Sequence, residues 1–111
     1  MARKRFFEHY TVPLSVARIA ISVCGDYERR EKLIRSSPSE SPTFARMSEL
    51  NSVVEQALSA LEPAIRKDML NDISEGIGYH KSKCSLMMGK NTYYRRRRKL
   101  VYDIAILLNL I

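Results

Sequence analysis

The apolar residues Met47, Leu50, Val53, Val54, Ala57, Leu58 and Leu61 recur at spacings of i, i+3, i+4 and i+7. That is the period of one helix face. A strand, whose side chains alternate every second residue, cannot use it. Ser48 is the expected cap of this helix. Glu62-Pro63 ends it, and Pro63 suits the first position of the next. Ile65, Met69, Leu70 and Ile73 keep the spacing up to Gly76, which can close a helix in the left-handed conformation. Tyr79 to Met88 is expected to form a third, shorter helix, and Gly89-Lys90-Asn91 a tight turn. From Thr92 to Leu108 a last helix puts Tyr93, Leu100, Ile104, Leu107 and Ile111 on one stripe, with Tyr94, Val101, Ala105 and Leu108 beside it. No alternating pattern and no internal repeat interrupts this, so the chain is expected to be all-α.

Upstream, Arg3, Lys4 and Arg5 lead into Phe6 and Phe7. Pro13 is expected as the first residue of a helix running through Leu14 to Cys24, apolar on most sides. Such a helix must pack on the C-terminal unit or on a second copy of the chain. Gly25-Asp26 marks a break, and Tyr27 to Arg35 a charged second helix with a favourable Glu28–Lys32 pair. Ser36-Ser37-Pro38-Ser39-Glu40-Ser41-Pro42 has the composition of a linker. The expected organisation is a helical segment over 1–35, a linker over 36–46 and a helix-turn-helix domain over 47–111.

At 111 residues and 12.8 kDa the chain supports one modest core. No apolar run approaches the ~18 residues of a membrane span, and no secretory signal is visible. Cys24 and Cys84 make no disulfide framework, so a reducing cytosol is the expected location and membrane association is not expected.

The position of the charge says more than its total. Residues 1–75 carry 11 basic and 11 acidic side chains. Residues 76–111 carry Lys81, Lys83, Lys90, Arg95, Arg96, Arg97, Arg98 and Lys99 against Asp103 alone, which accounts for the whole net charge of +7. One end of the molecule is therefore built to meet something anionic: nucleic acid, an anionic membrane surface or an acidic protein.

A short helix, a turn containing glycine and a longer basic helix outline a helix-turn-helix over residues 76–108. The exposed start of the last helix would read bases with Asn91, Thr92, Arg95 and Arg96, since Asn pairs with adenine and Arg with guanine in the major groove. Lys81, Lys83, Lys90, Arg98 and Lys99 would hold phosphates. Of the two tyrosines, Tyr93 is expected inward and Tyr94 at the DNA surface with its hydroxyl on a phosphate. Arg97 falls at the edge of the packed stripe. Met87 and Met88 are expected as core fillers. His80 and Cys84, with His9 and Cys24, match no zinc-site spacing, so no metal and no cofactor are expected. No phosphate-binding loop and no nucleophile with an evident base points to catalysis.

The run Thr92-Tyr93-Tyr94-Arg95-Arg96-Arg97-Arg98-Lys99, followed by Ile104-Ala105 and Leu108, resembles the recognition helix of the ArpU/RinA-type phage transcriptional regulators. Leu58, Leu61, Arg66, Leu70 and Gly76 are similar to the arrangement before the helix-turn-helix of sigma-factor region four. The resemblance covers roughly residues 50–108. It departs at Gly89, where the family usually has serine or threonine, and at Cys84 or Ser85, where it usually has alanine. The resemblance implies a sequence-specific regulator of phage or prophage origin that binds double-stranded DNA and activates late genes. Host RNA polymerase and a second copy of the chain are the further partners considered. The alternative is an interaction protein that holds nucleic acid without specificity.

Overall fold

The computed structural model describes residues 10–36 and 41–111. Among them are five α-helices and no strand: α1 (Leu14–Gly25), α2 (Tyr27–Ser36), α3 (Pro42–Leu58), α4 (Pro63–Glu75) and α5 (Lys90–Leu107). The all-α expectation therefore holds.

Each helix boundary has a local cause. Pro13 lies just outside α1, as its extended N-cap, one position earlier than expected. Asp26 alone separates α1 from α2, and it binds the Arg29 guanidinium at the start of the second helix. The Arg29 hydrogen bond, with its charge and that of Arg30, holds the Asp26 carboxyl below the usual carboxylate range.

The start of α3 corrects the sequence reading. The helix begins at Pro42, not near Met47, and Ser48 is an interior residue. Ser41 is the N-cap, its hydroxyl accepting from the Phe44 N–H at 3.1 Å. A serine followed by proline is a helix start as well as a linker element, because proline at the first position loses no intrahelical hydrogen bond. Residues 42–46 of the expected linker are therefore helical.

The end of α3 is closed from the next helix. Arg66 donates through Nε to the Leu61 carbonyl at 2.9 Å and through Nη2 to the Ser59 carbonyl at 3.1 Å. α4 ends as expected at Gly76, in the left-handed conformation at φ 68°. There the Ile77 N–H returns to the Asp72 carbonyl at 2.8 Å.

Residues 79–88 depart from expectation. They form two 3-10 turns, Tyr79–Lys81 and Lys83–Leu86, rather than one α-helix. Ser82 between them is extended, at ψ 144°, and its hydroxyl accepts from the Cys84 N–H at 3.0 Å. A serine that binds local backbone in this way competes with helix formation.

One core joins all of this. Ala20 and Cys24 of α1, Val54 and Ala57 of α3, Ile65, Met69 and Ile73 of α4, and Tyr93, Leu100 and Ile104 of α5 are buried together with Cys84. The apolar α1 packs against α4 and α5, while α2 lies along α3. Burial raises the Cys24 thiol to about 12 and pushes the Cys84 thiol up as well.

Candidate nucleic-acid interface

The inner stripe of α5 is anchored through its first turns. Tyr93 is buried, as expected, and its ring lies 5.4 Å from Tyr79 and 5.0 Å from Tyr94, centroid to centroid. Its hydroxyl donates to Asp72 Oδ2 at 2.8 Å. The same carboxylate oxygen accepts from the Ser82 hydroxyl. Arg97 Nη1 donates to the Tyr93 hydroxyl at 2.8 Å and to the Ile77 carbonyl. A buried carboxylate on α4 thus gathers the 3-10 segment and α5. Burial, then the bond to Asp72, raises the Tyr93 hydroxyl to about 12. Arg97 lies at the edge of the packed face, where the sequence put it.

Tyr94 is half-buried, and its hydroxyl accepts from the Tyr79 N–H at 3.2 Å, so it braces the 3-10 segment. The aromatic pair therefore has two inward jobs.

With Tyr93 facing the core, helix geometry sends Asn91, Arg95, Arg98 and Tyr102 along the opposite ridge, at i, i+4, i+7 and i+11. Asn91 and Arg98 are exposed and Arg95 is half-buried. Lys81, Lys83 and Lys90 stand exposed on the 3-10 segment and at the first position of α5. Gly89, the N-cap, supplies no side-chain cap to the first N–H groups of that helix. Thr92 is half-buried.

Arg96 and Lys99, both expected at the DNA, have acidic partners within the chain. Arg96 lies to the side of the ridge and pairs with Glu62 at the head of α4. Its Nε is buried without a hydrogen-bond partner. Lys99 Nζ sits 2.6 Å from Asp103 one turn on, and 6.0 Å from the centre of the Tyr10 ring.

Beside the ridge, residues 10–12, α1 and α5 enclose a groove of about 440 Å³ lined by Tyr10, Val12, Ile21, Tyr94, Arg97, Arg98 and Val101. Tyr10 also meets Tyr102 edge-on at 5.6 Å. The N-terminal segment therefore supports the basic helix from one flank.

Met87 is corrected. It is exposed, and so is its neighbour Leu86, while Met88 packs on the core. His80 is exposed and Cys84 buried, and no α-helix places them one turn apart. His9 lies outside the described residues. Among the described residues no group of three or more His, Cys, Asp or Glu side chains is placed to hold a metal ion. No helix among them is long and apolar enough to cross a membrane.

A second buried polar cluster lies away from this surface. Arg30 donates through Nε to Asn51 Oδ1 at 2.5 Å and through Nη2 to the Val23 carbonyl, with Asp26 at 3.5 Å. Asn51 Nδ2 donates to Glu31 at 3.0 Å and to the Tyr27 carbonyl at 3.3 Å. The sequence reading missed both clusters. A polar residue on an otherwise apolar face, as Asn51 is beside Val54 and Asp72 beside Ile73, was the available signal.

No protein-family model, no curated protein and no solved structure matches the chain.

Proposed function

We propose that the chain is a sequence-specific, double-stranded-DNA-binding transcriptional regulator of phage or prophage origin, acting as an activator of late genes in the bacterial cytoplasm. The observation that carries this is the outward ridge of α5. Asn91, Arg95 and Arg98 line it, with Lys81, Lys83 and Lys90 beside its start, in a third of the chain whose only acid is Asp103. A planar amide and guanidinium groups at the head of a helix fit base edges, and the flanking lysines fit phosphates. The resemblance of residues 92–108 to the ArpU/RinA-type recognition helix supports the promoter-directed form of the reading. Host RNA polymerase and a second copy of the chain are the partners it implies.

The non-specific alternative draws on one observation. The first helix of the expected helix-turn-helix is replaced by two 3-10 turns, so the partner that would set the docking angle of α5 is not a regular helix.

Binding titrations of the full chain on promoter and random duplexes, at several salt concentrations, separate the two. Arg95→Ala is expected to flatten the preference between the duplexes, by roughly tenfold or more for a lost bidentate contact. Lys83→Ala is expected to weaken both alike and to make the slope of log K against log salt shallower by about one unit. Equal behaviour of the two variants on both duplexes would favour non-specific binding.

A further inference from the structure

The turn leading into α5 carries two large apolar side chains in the open: Leu86 is 89% exposed and Met87 56%. Their backbone is nevertheless held. The Met87 and Met88 N–H groups donate to the Cys84 carbonyl at 2.9 and 3.2 Å. Cys84 itself is fully buried, and the Tyr79 hydroxyl donates to the Met88 carbonyl at 2.8 Å. A braced tip that faces water gains the fold nothing from its apolar groups.

The surroundings of the tip select its partner. Lys81, Lys83, Lys90 and Asn91, all exposed, flank it along the chain, and no acid occurs between Glu75 and Asp103. A stable protein interface needs roughly 800 Å² per side, far more than two side chains at a loop tip provide. Duplex DNA offers the matching chemistry at this small scale. Phosphates line its major groove, and isolated thymine C5-methyl groups project into it.

We infer that Leu86 and Met87 contact thymine methyl groups in the major groove, beside the bases met by the start of α5. This rests on the DNA-binding reading and adds to it an apolar readout supplied from outside the helix. Neither residue carries a hydrogen-bonding side chain, so the contact discriminates by a methyl group alone.

Replacing thymine by uracil removes that methyl group and keeps the hydrogen-bonding edge. The test titrates the full chain against labelled poly(dA–dT) and poly(dA–dU) duplexes of equal length at one salt concentration. The unaltered chain is expected to prefer the thymine duplex by about fourfold for each methyl group covered. The double variant Leu86→Ser, Met87→Ser is expected to bind both duplexes alike, near the affinity of the unaltered chain for the uracil duplex. Its melting temperature should be unchanged, since both side chains are exposed. Equal binding of the two duplexes by the unaltered chain, or a preference that survives in the double variant, overturns the inference and leaves the DNA reading standing. Absence of saturable binding to either duplex overturns the inference, and its absence on a mixed-sequence duplex containing G·C pairs as well overturns the DNA reading. Binding instead to phosphatidylserine vesicles, lost in the double variant, would make the tip a membrane contact and also overturn both.

Discussion

Two buried ionisable side chains, Arg30 and Asp72, are each 3% exposed, and the protein accommodates them in opposite ways. Arg30 is a cation met by acceptors from regular helices: Asn51 of α3, the Val23 carbonyl of α1, and the Asp26 carboxylate at the junction. Its charge is answered directly by an acid. Asp72 is met by hydroxyls, those of Tyr93 and Ser82, and its nearest cation in the network, Arg97, acts through the Tyr93 hydroxyl. The first cluster ties helices that would form in any case. The second holds a segment that does not become α-helix and sets α5 upon it. The geometry of the basic ridge therefore depends on Asp72 far more than on Arg30.

The sharpest way to break that contrast is to remove each centre in turn. Asp72→Ala leaves two buried hydroxyls without their acceptor and is expected to cost about 3–4 kcal/mol in urea denaturation. Arg30→Met keeps much of the buried volume but strands the Asn51 amide oxygen and the Val23 carbonyl. Its expected cost is smaller, about 2–3 kcal/mol. Under conditions where both variants remain folded, only Asp72→Ala should weaken duplex binding. Equal losses of binding in the two variants would show that α5 is not positioned by the Asp72 cluster.

Tyr93→Phe tests the same cluster more gently, at about 1–2 kcal/mol for the lost hydrogen bonds of the hydroxyl to Asp72 and from Arg97. It also has a pH signature. Burial and the bond to Asp72 raise the Tyr93 hydroxyl from its ordinary 10.0 to about 12, so the fold favours its protonated form. That contribution is complete below pH 10 and is lost as pH rises from 10 through 12. The buried Cys24 thiol, raised from 9.0 to about 12, adds a loss beginning near pH 9 in both proteins. Stability measured against pH should therefore fall less steeply above pH 10 in Tyr93→Phe than in the unaltered chain. Parallel curves would show that the hydroxyl is not held as described.

The smallest expected effect concerns Arg96. Its partner Glu62 is about half exposed, so Glu62→Gln should change stability by less than 1 kcal/mol. It also removes an anion beside the basic ridge and releases the guanidinium. Duplex affinity should rise about two- to threefold at low salt, with the gain shrinking as salt is added. A fall in affinity would show that the Glu62 pair orients Arg96 productively instead of withholding it.

The residues that were legible from sequence share one property: their structural role is local. The spacing of Leu50, Val53, Val54, Ala57 and Leu58 demands a helix whatever surrounds it, although the helix ends at Leu58 and Leu61 of the same stripe lies in the turn beyond. Pro63 and Gly76 punctuate through their own backbone preferences, and the inward placement of Tyr93 follows from its register with Leu100 and Ile104. The asymmetry of charge is likewise a property of the chain, independent of its fold. Ser41-Pro42 shows the limit of local signals, because the same two residues serve a linker or a helix start, and the cap bond to Phe44 selects the second.

Tertiary structure alone decided the rest, because the deciding partners are distant in the chain. Asp72 and Tyr93 are 21 residues apart, as are Arg30 and Asn51, and nothing in either local sequence announces the pairing. Ser82 forms an extended joint because a carboxylate from α4 receives its hydroxyl while its oxygen accepts the Cys84 N–H. Tyr94 turns inward because the Tyr79 N–H needs an acceptor, and Arg96 turns aside because Glu62 lies within reach. A buried polar group must find its partner wherever the folded chain brings one, so these assignments belong to the assembled core. The apolar period that builds that core was already complete in the sequence.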